Sequence, residues 1–203
     1  MLAATLTTAV TTAAARGPGE QKPDESTAAS LSEAEVATLQ YMREEEKLAR
    51  DVYLTLYGIY GRDVFATIME SEQKHFDAVG ELIAKYGVED PAARDIHGYF
   101  VNPDLQALYD RLTAAGAKDL LSALYVGGLI EETDMDDLAN AIDESRRADL
   151  DRVYDNLREG SKNHLRAFVA NVEASGEAYE PQYLPESEVE RILEEEATRP
   201  TRL

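Results

Sequence analysis

The chain has no cysteine among its 203 residues. That absence excludes a disulfide framework, a zinc finger, an iron–sulfur cluster and a thiol nucleophile, and with them a rubredoxin-type electron-transfer module. Positive charge is also scarce, since 20 Lys and Arg face 40 Asp and Glu for a formal net charge of -20. A phosphate backbone would be repelled, so no nucleic-acid partner is expected. An acidic surface attracts cations, or simply keeps the protein in solution. No run of about 20 apolar residues is present, so no membrane span is expected. Alternating apolar residues are rare, and Pro and Gly gather only at a few turns, so no strand pattern competes with helix.

What is there suits a globular protein: 44% of residues are hydrophobic and 30% charged, enough for one domain with a sizeable core. Residues 1–30 are small and apolar, then polar, and read as a leader plus linker. The segment Met1–Ala15 has the apolar region and Ala-x-Ala site of a secretory signal but lacks a basic start. A cytoplasmic location and a secreted or cell-envelope one therefore both stand. Residues 31–175 carry helical periodicity, and residues 176–203 form a tail with a short helix.

The all-α expectation is specific. Ser32 and Glu35 form a capping box that opens a helix from about Ser32 to Tyr57. A Gly58–Gly61 turn leads to a second helix, about Arg62–Tyr86. After a long connection holding a shorter helix near Asp104–Ala115, a third long helix spans about Lys118–Ile142. A turn at Asp143–Ser145 leads to the fourth, about Arg146–Val172, and a last short helix ends near Glu196. Two short turns make two antiparallel hairpins, and the long connection permits an end-to-end crossover, which is the ferritin-like four-helix bundle topology.

The inner seam of a bundle follows spacings of three and four. On the first helix this gives Leu39, Met42, Glu46, Ala49, Tyr53 and Leu56. On the second it gives Phe65, Ile68, Glu72, His75, Val79, Leu82 and Tyr86. The third gives Leu121, Leu124, Gly128, Glu131, Met135, Leu138 and Ile142, and the fourth Leu150, Tyr154, Leu157, Ser161, His164 and Phe168. Each seam is apolar except at its midpoint, so Glu46, Glu72, His75, Glu131 and His164 should meet in the core. Three buried carboxylates repel one another, and each desolvated ion costs several kcal/mol. A divalent metal compensates best, and Glu with His suits iron or manganese. Glu44 and Glu45, beside Glu46, are expected to be solvated. Gly127 and Gly128 either leave room beside a metal or substrate such as O2, or serve close helix packing. Tyr53 and Tyr154 are either ordinary core tyrosines or candidates to bond ligands or carry a radical, and Met42, Met69 and Met135 read as core residues rather than haem ligands.

The stretch Glu46-Lys-Leu-Ala49-Arg50-Asp-Val-Tyr53 resembles the first-helix motif of rubrerythrins, and Glu72-Gln-Lys-His75 resembles the Glu-x-x-His of the second helix of di-iron proteins. The runs from Arg43 to Tyr53 and from Gly160 to Phe168 are similar to a narrower ferritin-like family known as a domain of unknown function (number 2202). The resemblance covers about Leu31 to Val172. It implies a bundle binding one or two irons, with Glu46 and Glu131 as terminal ligands, Glu72 bridging, and His75 and His164 as imidazole ligands. One departure matters: the fourth helix carries Ser161-Lys-Asn-His164 where relatives have a second Glu-x-x-His. Asp134 is the nearest substitute carboxylate; Glu132 and Glu159 fall off the seam.

Three functions follow as expectations. The first is peroxidase or ferroxidase chemistry at iron, tuned by Tyr53 and Ser161 and fed by an external electron donor because the chain has no cysteine. The second is metal binding or iron handling without turnover. The third is a metal-free interaction module. A homodimer is left open.

Overall fold

The computed structural model describes residues 30–197, so the expected leader and linker lie, but for Ser30, outside the described residues. Among the described residues there are six α-helices and no strand: α1 Glu33–Tyr60, α2 Asp63–Tyr86, α3 Pro103–Gly116, α4 Leu120–Glu144, α5 Ala148–Ala174 and α6 Glu186–Ala197. None is long and apolar enough to cross a membrane.

Local chemistry sets the ends of these helices. The Ser32 hydroxyl accepts from the Glu35 N–H at 3.2 Å, and Glu35 accepts from the Ser32 N–H at 2.8 Å, completing the capping box. The expected turn at Gly58 is absent, and α1 continues to Tyr60. The break falls at Gly61, whose φ of 60° is the left-handed conformation that a residue without Cβ adopts at no cost. Asn102 caps α3 ahead of Pro103. Asp119 caps α4 through the Ser122 N–H at 2.7 Å, so this helix begins just beyond Lys118.

Helix α1 packs along α2, and α4 along α5; α1 also meets α4, and α2 meets α5. Each pair is joined by two or three residues, so each turns back on itself. Helix α3 lies against α1 and α4, and α6 against α5. The apolar core forms two layers along these helices. One holds Ala49, Tyr53, Phe65, Ile68, Leu124 and Phe168. The other holds Leu39, Met42, Val79, Leu82, Leu138 and Leu157. In sequence, each long helix passes from one layer to the other through its polar midpoint.

One seam expectation is corrected. Met135 does not face the four-helix centre. It packs with Leu165 and Val169 beneath Leu184, Val189 and Ile192 of the C-terminal arm. The inward residue after Glu131 is Asp134, whose carboxylate meets Ser161 of α5. The arm itself explains the shift, because it covers a second face of α4 and makes it apolar as well. Glu132 is fully buried there, accepting from the Tyr179 hydroxyl and from the N–H groups of Gln182, Tyr183 and Leu184.

Candidate metal centre

Between the two apolar layers, α1 supplies Glu46, α2 supplies Glu72 and His75, α4 supplies Glu131, and α5 supplies His164. All five are buried, the three carboxylates to within 2% of complete burial. Glu72 lies at the middle. Its Oε2 is 2.9 Å from His75 Nδ1, and its Oε1 is 2.8 Å from His164 Nδ1. His75 Nδ1 is also 3.3 Å from Glu46 Oε2, and His164 Nδ1 is 3.2 Å from Glu131 Oε2. The result is two trios, Glu46–Glu72–His75 and Glu72–Glu131–His164. Each offers ligand atoms within 4.8 Å of one another, and both share Glu72. The imidazoles stack with centroids 5.4 Å apart.

The surroundings hold these groups in place. Tyr53 donates to Glu131 Oε1, His164 Nε2 lies 2.9 Å from the Ser71 hydroxyl, and Ser161 donates to Asp134 Oδ2 and to the Leu157 carbonyl. Gly160 makes room for the His75 ring: a Cβ there would lie 2.6 Å from Nε2. Ser71 and Gly160 could not be singled out from the sequence, because nothing in its helical spacing marks a neighbour of a histidine ring.

The electrostatics show what burial does to these groups. Burial raises the Glu46 carboxyl to about 7 despite the facing His75, and it raises Glu131 despite His164. Burial would raise Glu72 too, but the charges of His164 and His75 outweigh it and hold this carboxyl well below its ordinary range. Burial opposes charge on the imidazoles, and the carboxylates overcome it, lifting His75 to about 11 and His164 to about 10. Two buried atoms of the centre still find no hydrogen bond, Glu46 Oε1 and His75 Nδ1. The short approach of Nδ1 to Glu72 is not aligned as one. Unpartnered buried oxygen and nitrogen atoms turned toward a shared carboxylate fit a cation held between them.

Other expected residues fall elsewhere. The Tyr154 hydroxyl is buried and has no hydrogen-bond partner, so it does not support the centre. Gly127 and Gly128 leave no open space. A Cβ at Gly127 would strike the Phe168 ring, and one at Gly128 the Tyr179 ring, so close packing is their reason. Glu44 and Glu45 are buried rather than solvated: Glu44 accepts from the N–H groups of Val101 and Asn102, because the connection after α2 folds across α1. Glu159 pairs with Lys162. His97, the third histidine, sits instead with Thr55, Tyr109 and Asp51.

Residues 35–196, which contain the whole centre, match the family described as an uncharacterized protein domain, DUF2202. The chain belongs to this family. The DUF2202 chain is 46% identical over 169 residues to the uncharacterized protein MJ0754 of Methanocaldococcus jannaschii, covering 83% of this chain and 91% of that protein. It is also similar to the crystal structure of hypothetical protein MJ0754 from Methanococcus jannaschii DSM 2661, with a TM-score of 0.79 and 46% identity, over 81% of this chain and 94% of the other.

Proposed function

We propose that this DUF2202 protein is a ferritin-like four-helix bundle. Its carboxylate–histidine layer binds one or two non-haem metal ions, iron first and manganese second, for peroxidase or ferroxidase chemistry of the rubrerythrin kind. The observation that carries this reading is the placing of Glu72. Each of its carboxylate oxygens faces one histidine Nδ1, and Glu46 and Glu131 flank the pair. Five buried donors converge from four helices, three carboxylates against two imidazoles, a set whose excess negative charge a bound cation would balance.

Glu46, Glu72 and His75 would hold one ion, and Glu72, Glu131 and His164 the other. Bound iron supplies one-electron redox steps toward peroxide or O2. The protein's part is to orient and to balance charge. Tyr53 occupies Oε1 of Glu131 and leaves Oε2 toward His164. Two divalent ions bring four positive charges against three from Glu46, Glu72 and Glu131, and Asp134, held by Ser161, supplies the fourth negative charge. An external donor would provide electrons, and a homodimer is compatible with the exposed face of α1 at Leu54 and Tyr57.

A second reading, iron handling without turnover, is favoured by one feature. The Ser161 hydroxyl is spent on Asp134 and the Leu157 carbonyl, so α5 gives the centre only one ligand, His164. Metal content per chain on protein purified without added metal, beside Glu72→Ala, tests both. Near two irons, lost in the variant, with a peroxide-driven spectral change, supports the redox reading. One inert ion supports the second, and none sinks both.

A further inference from the structure

Beside the centre lies a set of buried acids of which the proposed chemistry uses only Asp134. Glu45 of α1 is 6% exposed, and Asp134 of α4 is 5% exposed. Glu45 has Asp134 and Asp137 as charged neighbours, and the Tyr41 hydroxyl donates to Asp137 Oδ2 at 3.2 Å. Asp137 is only partly buried and lines a surface groove of about 420 Å³ between α1 and α4, together with Tyr41, Thr38, Asn140 and Glu144. Exposure falls from Asp137 at the groove through Glu45 and Asp134, both buried, to Glu131, Glu46 and Glu72, each 2% exposed or less.

This order has no evident structural purpose. The observation that points to a ligand is Glu45 Oε2. It is buried and has no hydrogen-bond partner, although its neighbours are acids. A buried lone pair among carboxyls is an oxygen site for a hard cation, not for a donor the fold already supplies.

We infer that Asp137, Glu45 and Asp134, with Tyr41 at the rim, form the route by which a divalent cation passes from the α1–α4 groove into the carboxylate–histidine layer. The inference rests on the reading of that layer as a metal site. Acidic side chains of graded burial draw the ion inward while offering oxygens at each stage.

The test follows cobalt(II) loading of the metal-free full-length protein by stopped-flow absorbance, with final stoichiometry measured separately. The variant is Glu45→Gln with Asp137→Asn, which keeps the shapes and removes two carboxyl groups. Its control is Glu70→Gln with Glu81→Gln, which removes two charges from the exposed face of α2. Loading about tenfold slower in the first variant, with stoichiometry and final spectrum unchanged and the control at the wild-type rate, is the expected result, since a cleft of one charge raises on-rates by at least that factor. Equal rates in all three proteins overturn the route and leave the centre intact. A loss of bound cobalt in the first variant makes these acids ligands rather than a route, and also overturns it. Wild-type protein that takes up no cobalt sinks the metal reading itself.

Discussion

The Tyr53 hydroxyl donates to Glu131 Oε1 at 2.5 Å from a position with no solvent exposure. Tyr53 also packs against Phe65 and Phe168, so the same ring closes one apolar layer and orients a carboxylate of the polar layer below it. Burial, with Glu131 next, pushes its own pKa well up, so it acts as a donor and stays protonated. Tyr53→Phe keeps the packing and removes the donor. Leaving a buried carboxylate oxygen unpartnered costs about 1–3 kcal/mol. Thermal unfolding of the metal-free variant should show that loss, and cobalt binding should weaken with it. An unchanged melting temperature would mean that the bond contributes nothing.

Gly160→Ala separates helix propensity from site geometry. In a free helix the change should stabilise by about 1 kcal/mol. Here the new Cβ meets His75 Nε2 at 2.6 Å. The expected outcome is retained helix content by circular dichroism with a clear drop in metal per chain. Normal metal content would show that the imidazole has room to move.

Metal uptake should release protons. In the metal-free protein His75 is raised to about 11 and His164 to about 10, so both are charged at neutral pH, and ligation requires the neutral ring. The sign for stability runs the other way from that for binding. The folded-state pKa values lie above the unfolded value of about 6.5. Their contribution to metal-free stability is therefore full below that pH and is lost as pH rises through about 10 to 11. Metal affinity should instead climb with pH. Calorimetry in two buffers of different ionisation heat measures the proton count, and a buffer-independent heat would contradict it.

Glu132→Ala should release the C-terminal arm. One carboxylate there accepts from the Tyr179 hydroxyl and from three consecutive backbone N–H groups, at Gln182, Tyr183 and Leu184. Hydrogen bonds to a charged group contribute about 1.5–3 kcal/mol each at most, and these share one acceptor. Limited proteolysis should cut first between α5 and α6 in the variant and leave the four long helices whole. Cleavage at wild-type rate would show that Val189 and Ile192 hold the arm without Glu132.

How much was legible beforehand differs from residue to residue. Glu46, Glu72, His75, Glu131 and His164 were visible as polar midpoints of apolar seams, because a period of three and four residues assigns a helix face without knowledge of the partner helix. Met135 was assigned to the wrong face because α4 has two buried faces, and periodicity cannot say which one points to which neighbour. Glu44 and Glu45 looked solvated because a run of three acids normally is. Glu44 is covered by Val101 and Asn102 of the connection that folds over α1, and Glu45 faces Asp134 and Asp137 of α4. Gly127 and Gly128 announced a close approach, but only the placement of Phe168 and Tyr179 shows what approaches.

By itself the sequence determined the helices, their caps and the height of the polar layer, since these depend on spacing and on side chains three or four residues apart. The tertiary structure alone decided that each oxygen of Glu72 faces a different histidine, that Ser161 binds Asp134, and that Tyr53 and not Tyr154 reaches the centre. Those relationships depend on the rotation and slide of helices distant in the chain. A shift of one residue along α4 or α5 would undo them without altering a single local signal.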